Sequence, residues 1–206
     1  MIAIIDYGMG NLRSVENAFK SIGYPVTITR DPGKILDSSG IILPGVGAFR
    51  DCLKNLKTYG LFKPLYKFIE SKKPFLGICL GLQVFFEESE EFGRYKGLGI
   101  LKGRVVSLPQ NRVKIPHMGW NTIKIRKKCP IFEGIKDFSY FYFVHSYYVI
   151  PEEEEIIATT TDYGVEFTSS IWKDNIFACQ FHPEKSQKLG LKVLKKFGEI
   201  CQRNAG

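Results

Sequence analysis

Several features that mark other classes of protein are missing from this chain of 206 residues. No apolar run approaches the roughly 20 residues that a membrane-spanning helix requires, so we expect no membrane partner. The N-terminal segment, residues 1–6 (MIAIID), has no basic lead and no cleavage site, and it indicates a first strand rather than a signal peptide. We therefore expect a cytoplasmic protein.

The chain also has few cysteines and histidines. The five cysteines are an odd number, are irregularly spaced and contain no C-x-x-C pair: Cys52, Cys79, Cys129, Cys179 and Cys201. This pattern indicates neither a disulfide framework nor a cysteine zinc site, and we expect no metal and no cofactor. The imidazoles available as a general base are His117, His145 and His182.

Acidic residues are fewer than basic ones, and the net charge is +8. A basic chain can bind nucleic acid. Here the lysines are scattered over predicted helices, as in residues 188–196 (KLGLKVLKK), and no basic block is interleaved with aromatic residues. We therefore expect general surface charge and no nucleic-acid partner.

The order of apolar runs and amphipathic stretches predicts an α/β fold. Strands are predicted at residues 2–5, 26–29, 40–43 and 75–78, and helices at 11–21, 52–71 and 80–88. Gly60 and Pro64 are candidate interruptions of the second helix. This alternation is typical of a parallel sheet.

The second half predicts strands with few helices between them, at residues 105–108, 121–125, 140–149, 156–161, 166–172 and 176–180, and then a helix at 186–202. These strands indicate an antiparallel addition to the sheet. The prediction is a central, mostly parallel sheet flanked by helices. No linker or repeat is present, so we expect a single domain over residues 1–206.

The segment Gly77-Ile-Cys79-Leu-Gly81 has the G-x-C-x-G form of a strand–turn–helix nucleophile elbow. The glycines allow a sharp, strained turn. The following helix would stabilise a thiolate through its N-terminus, and the Leu80 N–H would serve as an oxyanion donor. A buried cysteine in a glycine-rich turn is the alternative interpretation of the motif alone.

A second motif, residues 180–185 (QFHPEK), follows an apolar strand. His182 and Glu184 are two residues apart, which places both on one side of an extended chain. A carboxylate there could hold the imidazole tautomer, and Cys79, His182 and Glu184 would then form a complete set for acyl transfer. Alone, this motif would more commonly be a surface turn.

The segment 43–49 (LPGVGAF) is a third candidate. A phosphate loop is weakly indicated, because no Gly-Lys-Ser/Thr follows. A loop that offers backbone N–H groups near the nucleophile fits better, and Gly45 and Gly47 would let its peptides turn.

Together, PGVGAF at 44–49, GICLGLQ at 77–83 and QFHPEKS at 180–186 resemble the class I (triad) glutamine amidotransferases. DYGMGNLRSV at 6–15 and PHMGWN at 116–121 are similar to one branch of that family, the glutaminase subunits of imidazole glycerol phosphate synthases. The resemblance spans residues 4–186 and implies a flavodoxin-like fold. By this resemblance, Cys79 matches the nucleophile, His182 the general base and acid, and Glu184 the orienting acid.

The same resemblance implies the contacts of the substrate, L-glutamine. Gln83 matches a residue that contacts glutamine, and Val46 and Gly47 fall in the loop that supplies the oxyanion strand. Ser146 and Tyr147 match the segment whose backbone receives the amino-acid end of the substrate. We expect His117 to be structural and His145 to orient the substrate-binding strand.

The resemblance also implies a partner, a (β/α)8-barrel cyclase subunit that forms a heterodimer with the chain. The cyclase uses ammonia to convert a phosphoribulosyl formimino carboxamide nucleotide (PRFAR) into imidazole glycerol phosphate and AICAR in histidine biosynthesis. The isolated glutaminase subunit is expected to be nearly idle, with the Val46 peptide turned the wrong way until the partner is liganded.

Five residues lie in segments that resemble partner-contacting loops: Asn11, Arg13, Met118, Trp120 and Asn121. Trp and Arg are frequent anchors of interfaces. The alternative for Trp120 is a place in the core.

Other functions stay open at this stage. The chain could serve another amidotransferase, of GMP or pyridoxal phosphate synthesis, although the two branch-specific segments argue against this. A papain-like cysteine peptidase is disfavoured by Gln83 and the PGVG loop, and a catalytically silent regulatory module by the intact triad.

Overall fold

One continuous sheet dominates the fold in residues 1–203, which are the residues that the computed structural model describes. Its thirteen strands within that range are β1 (Ile2–Ile5), β2 (Val26–Thr29), β3 (Gly40–Gly45), β4 (Phe75–Cys79), β5 (Phe86–Ser89), β6 (Tyr95–Lys96), β7 (Leu101–Ser107), β8 (His117–Ile125), β9 (Ser139–His145), β10 (Tyr147–Pro151), β11 (Ile157–Asp162), β12 (Glu166–Lys173) and β13 (Ile176–Cys179). The α-helices are α1 (Leu12–Ser21), α2 (Pro32–Asp37), α3 (Phe49–Thr58), α4 (Phe62–Glu70), α5 (Leu80–Gln83) and α6 (Gln187–Arg203).

Five parallel strands form one end of the sheet, in the order β2-β1-β3-β4-β13. This is the flavodoxin-like order, in which ligands bind beyond the carboxyl ends of the strands. Three segments that the sequence singled out follow these ends: the PGVG loop after β3, the cysteine turn after β4, and the His182 segment after β13. The topology therefore gathers the three motifs at one edge.

Both faces of the parallel strands are buried by helices. The side chains of β1 alternate between two cores, because Ala3 and Ile5 belong to one and Ile2 and Ile4 to the other. Helices α2, α3 and α4 cover the first face, and α1 and α6 cover the second. No helix within residues 1–203 is long and apolar enough to cross a membrane.

The second half extends the sheet with mainly antiparallel strands, as predicted. β12 pairs antiparallel with β13, and β10, β7, β5 and β6 continue the sheet from there. β11 pairs with β12 and with β8, which forms a hairpin with β9. The predicted α/β class with an antiparallel addition is confirmed.

Two element predictions were wrong. The helix predicted over 80–88 ends at Gln83, because the Phe85 carbonyl accepts hydrogen bonds from the N–H groups of Ile100 and Leu101 and the chain continues as β5. The strand predicted over 140–149 is two strands, since the chain leaves β8 and joins β7 at Ser146.

The helix predicted over 52–71 begins earlier than expected, at Phe49, and the predicted interruption at Gly60 is confirmed, since this residue, with a φ of 66°, separates α3 from α4. Pro64 lies inside the first turn of α4, where its missing N–H has no helical acceptor in any case. The short helix α2 was not predicted.

Candidate active site

Cys79 occupies a strained turn between β4 and α5. Its φ of 54° and ψ of −108° lie outside the regions that non-glycine residues usually adopt. A Cβ on Gly81 would lie 2.0 Å from the Leu43 carbonyl oxygen, and one on Gly77 would lie 2.7 Å from the Gly81 oxygen. Backbone therefore packs directly on backbone around Cys79, which explains both glycines of the motif.

The helix after the turn is shorter than expected. α5 has four residues, which is about one helical turn. Its dipole therefore stabilises negative charge on the sulfur less than the long helix predicted from the sequence would. The Leu80 N–H remains the first backbone donor after Cys79. Stabilisation of charge near the sulfur must come mainly from neighbouring side chains.

His182 and Glu184 form a buried pair. His182 Nδ1 lies 2.8 Å from Glu184 Oε1, and the two side chains are 2% and 1% exposed. A carboxylate accepts, so Nδ1 carries a proton and Nε2 is left to face the thiol. Nε2 has no hydrogen-bond partner within residues 1–203.

The electrostatics favour the charged imidazole. Burial alone would lower the pKa of His182, but the charges of Cys79 and Glu184 and the hydrogen bond with Glu184 outweigh it and raise that pKa to about 10. At neutral pH the His182 ring therefore carries a proton on both nitrogens.

The sulfur has a further neighbour that the sequence analysis missed. Gln180 is fully buried, and its Nε2 donates to Cys79 Sγ at 3.5 Å. Its Oε1 accepts from Gln83 Nε2 at 3.0 Å. The available signal was an amide side chain at the end of an otherwise apolar strand, two residues before His182.

A pocket of about 380 Å³ opens in front of Cys79. It brings together eight of the predicted residues, Cys79, His182, Val46, Gly47, Leu80, Gln83, Ser146 and Tyr147, while Glu184 sits behind His182. This volume lies at the small end of ligand pockets and suits a single amino acid.

Two charged residues of the pocket wall were not predicted, Glu91 and Lys185. Glu91 Oε2 accepts from the Phe49 N–H at 2.6 Å, and burial raises the pKa of this carboxyl. Lys185 follows Glu184 directly and lies 6.0 Å from the centre of the Tyr142 ring. The pocket wall thus carries one acidic and one basic side chain besides Cys79 and His182.

The predicted interface residues differ in whether their side chains face outward or are bonded within the chain. Met118 and Trp120 are 63% and 47% exposed on the outer face of the β8–β9 hairpin, so the core alternative for Trp120 is excluded. Arg13 is exposed at the start of α1, next to Asn11, and pairs with Glu16.

Asn121 lies on the opposite, inner face of β8. Its Nδ2 donates to the Asp162 carbonyl at 2.9 Å and its Oδ1 accepts from the Thr122 N–H at 2.8 Å. Its polar atoms are therefore used inside the chain.

Comparison with known proteins agrees with this geometry. The family model of glutamine amidotransferase class-I matches residues 3–200, so the chain belongs to that family. The chain is also similar in structure to PurLQS from Thermotoga maritima, with a TM-score of 0.73, 17% identity and coverage of 95% of this chain and 96% of that one. The glutaminase domain of Trypanosoma brucei CTPS has a TM-score of 0.64 at 17% identity, with coverage of 96% of this chain and 93% of that one. At such identities these structures show the fold alone.

Sequence relatives narrow the family to one subunit type. The chain is 52% identical to imidazole glycerol phosphate synthase subunit HisH of Syntrophotalea carbinolica over 97% of this chain and 100% of that protein. It is 55% identical to the subunit of the same name from Desulfitobacterium hafniense, over 100% and 97%. The HisH subunit of Aquifex aeolicus is 54% identical over 97% of each chain.

Proposed function

We propose that this chain is the glutaminase subunit of an imidazole glycerol phosphate synthase. It hydrolyses L-glutamine to glutamate and ammonia, and the ammonia passes to a cyclase subunit. The observation that carries the proposal is the buried His182–Glu184 pair beside Cys79 at the base of a pocket of amino-acid size. The identity of about 50% to HisH subunits supports this acceptor rather than that of another amidotransferase.

In the proposed first step, Cys79 Sγ attacks the side-chain amide carbon of glutamine. The C–N bond breaks as His182 gives its Nε2 proton to the departing ammonia. Backbone N–H groups of Leu80 and of the loop at Val46 and Gly47 stabilise the oxyanion, each contributing about 3 kcal/mol. Gln180 Nε2 donates a hydrogen bond to the attacking sulfur.

The second step hydrolyses the γ-glutamyl thioester. His182 takes a proton from water, the hydroxide adds to the thioester carbon, and glutamate leaves as Cys79 recovers its thiolate. Glu184 keeps Nδ1 protonated throughout, so the same nitrogen, Nε2, serves both steps.

The acceptor is a (β/α)8-barrel cyclase that binds over the pocket mouth. Supporting this, Met118 and Trp120 expose apolar surface on the β8–β9 hairpin. Val144, which faces Met118 across the hairpin, lines the pocket, so the exposed patch and the site adjoin. Gly47, at φ 92°, lets the Val46 peptide rotate when the cyclase is liganded.

Mass spectrometry of the intermediate tests the chemistry. Glutamine is mixed with the complex and quenched in acid, and we expect a γ-glutamyl adduct on Cys79. Cys79→Ser should lose both the adduct and ammonia release, while Cys129→Ser, at another buried free cysteine, should keep both. Ammonia release by Cys79→Ser at the wild-type rate would contradict the proposal.

A further inference from the structure

A buried chain of hydrogen bonds runs from β8 to the wall of the glutamine pocket, and the mechanism above makes no use of it. Asn121 Nδ2 lies 3.2 Å from His117 Nε2, and His117 Nδ1 lies 2.9 Å from His145 Nε2. His145 Nδ1 lies 2.9 Å from the Tyr147 carbonyl oxygen. Both imidazoles are at most 5% exposed.

The donor and the acceptor of every hydrogen bond in this series can be assigned. The Tyr147 carbonyl can only accept, so His145 Nδ1 donates. Burial lowers the pKa of His117 to about 4 and that of His145 to about 3, so each ring is neutral at neutral pH and carries one proton. His145 Nε2 therefore accepts from His117 Nδ1, and His117 Nε2 accepts from Asn121.

Asn121, at the other end of this series of hydrogen bonds, independently requires the same donors and acceptors. The Asn121 amide is oriented by two backbone groups, because its Nδ2 donates to the Asp162 oxygen and its Oδ1 accepts from the Thr122 N–H. This orientation points the second Nδ2 hydrogen at His117. The pair of histidines thus has a donor at one end and an acceptor at the other, and a single pair of tautomers satisfies both.

At the pocket, the Tyr147 carbonyl shares its lone pairs with a residue of the glutamine site. Gln83 Nε2 donates to this oxygen at 2.9 Å and to Gln180 Oε1 at 3.0 Å, so both of its hydrogens are used. Gln83 lines the pocket, and within the described part of the chain the hydrogen bonds of its side chain both come from Nε2, which leaves Oε1 as an acceptor. The amide is therefore fixed with an acceptor left over for the ligand.

We propose that His117 and His145 are positioning residues for glutamine, because as a neutral pair they hold the Tyr147 carbonyl. This carbonyl fixes the Gln83 amide, whose Oε1 accepts a hydrogen bond from an N–H group of the substrate. The inference rests on the proposed function and extends it to residues that touch no reacting atom.

Packing is the competing explanation for the two rings. The His117 ring stacks on Tyr163 at 4.0 Å and on Phe143 at 4.8 Å between ring centres. A test must therefore separate lost hydrogen bonds from lost packing, and the two nitrogens of His145 allow this.

Two substitutions at His145 remove different nitrogens. His145→Asn keeps a donor near the Nδ1 position, and His145→Gln keeps only a group near the Nε2 position. In the complex with the cyclase and PRFAR, we expect His145→Gln to raise the KM for glutamine about fivefold to tenfold, the value of one lost hydrogen bond. His145→Asn should raise KM less than threefold, and kcat should change little in either variant.

A packing role predicts parallel effects of the two substitutions. Equal KM values for both variants, or a wild-type KM for His145→Gln, would overturn the positioning role. A wild-type complex that makes no glutamate would overturn the proposed function as well, so the two failures are distinguishable.

Nitrogen-15 NMR of the imidazoles provides a readout that does not depend on turnover. We expect both rings of the complex to be neutral and protonated at Nδ1. In His117→Phe, which retains an aromatic ring in the stack, His145 Nε2 loses its donor, so its nitrogen-15 resonance should shift while Nδ1 stays protonated, and KM should rise. Protonation of either wild-type ring at Nε2 alone would contradict the chain of bonds.

Discussion

The substitution Glu184→Gln tests how the buried carboxylate sets the charge of His182. Glutamine has nearly the shape of glutamate, and its Oε1 can still accept from Nδ1, so the tautomer is kept while the negative charge is removed. The variant therefore isolates the electrostatic part of a contact of 2.8 Å between side chains that are at most 2% exposed.

The size of the effect follows from that burial. A hydrogen bond to a charged group contributes about 1.5–3 kcal/mol, and one pKa unit corresponds to about 1.4 kcal/mol. The pKa of His182 should therefore fall by about one to two units from its value of about 10. Glutamine hydrolysis should slow by about tenfold to a hundredfold, because the imidazolium that forms when His182 takes a proton from water in the second step loses the same stabilisation.

The assay is the pH dependence of kcat/KM for glutamine hydrolysis by the complex. Activity should fall as the pH rises through the pKa of His182, because the proton for the departing ammonia is lost. We expect this alkaline limb near pH 10 in the wild type and about one to two units lower in Glu184→Gln. Glu133→Gln, at a 71% exposed carboxylate paired with Lys196, is the control and should leave the limb in place. An unmoved limb and an unchanged rate in Glu184→Gln would refute the argument.

Three further predictions concern stability and assembly. Gly81→Ala should destabilise the fold by at least about 3 kcal/mol in urea unfolding, because the new Cβ would lie 2.0 Å from the Leu43 oxygen; a stable variant would contradict the backbone contact. Acid should weaken the fold, since His117 and His145 have pKa values below that of a free histidine and the unfolded chain binds more protons between about pH 6.5 and 4. Each histidine should lower the free energy of unfolding by about 2 kcal/mol at pH 5 relative to pH 7, and His117→Phe should remove the part that His117 contributes. Parallel pH profiles of the free energy of unfolding in the wild type and the variant would contradict this prediction. Trp120→Ala should raise the dissociation constant for the cyclase at least about 30-fold, as expected for an aromatic anchor, with little change in thermal stability; unchanged affinity would remove Trp120 from the interface.

Elements are predictable from the sequence where the local pattern and the tertiary structure agree. The β-branched and apolar runs at residues 2–5 and 26–29 became the strands expected, and the G-x-C-x-G turn has the backbone strain that its glycines indicate. The motifs gather because parallel strands end at one edge of a sheet, which needs no knowledge of side-chain contacts.

Sequence patterns mislead where distant segments decide the local structure. Residues 84–88 belong to the helix predicted over 80–88, but pairing with β7 makes residues 86–88 part of strand β5. Gln180 is part of an apolar strand pattern, and only its position beside Cys79, 101 residues away, shows its contact with the sulfur. The bond between His117 and His145 depends on the register of the β8–β9 hairpin, which the sequence does not reveal.

The most direct test of the account is glutamate production from L-glutamine by the chain alone, with a histidine-pathway cyclase subunit, and with that subunit and PRFAR. The account predicts slow hydrolysis by the chain alone and a large rise when both the cyclase and its ligand are present. The absence of glutamate from all three mixtures would contradict the proposed function, and full activity of the chain alone would contradict the gating by the Val46 peptide.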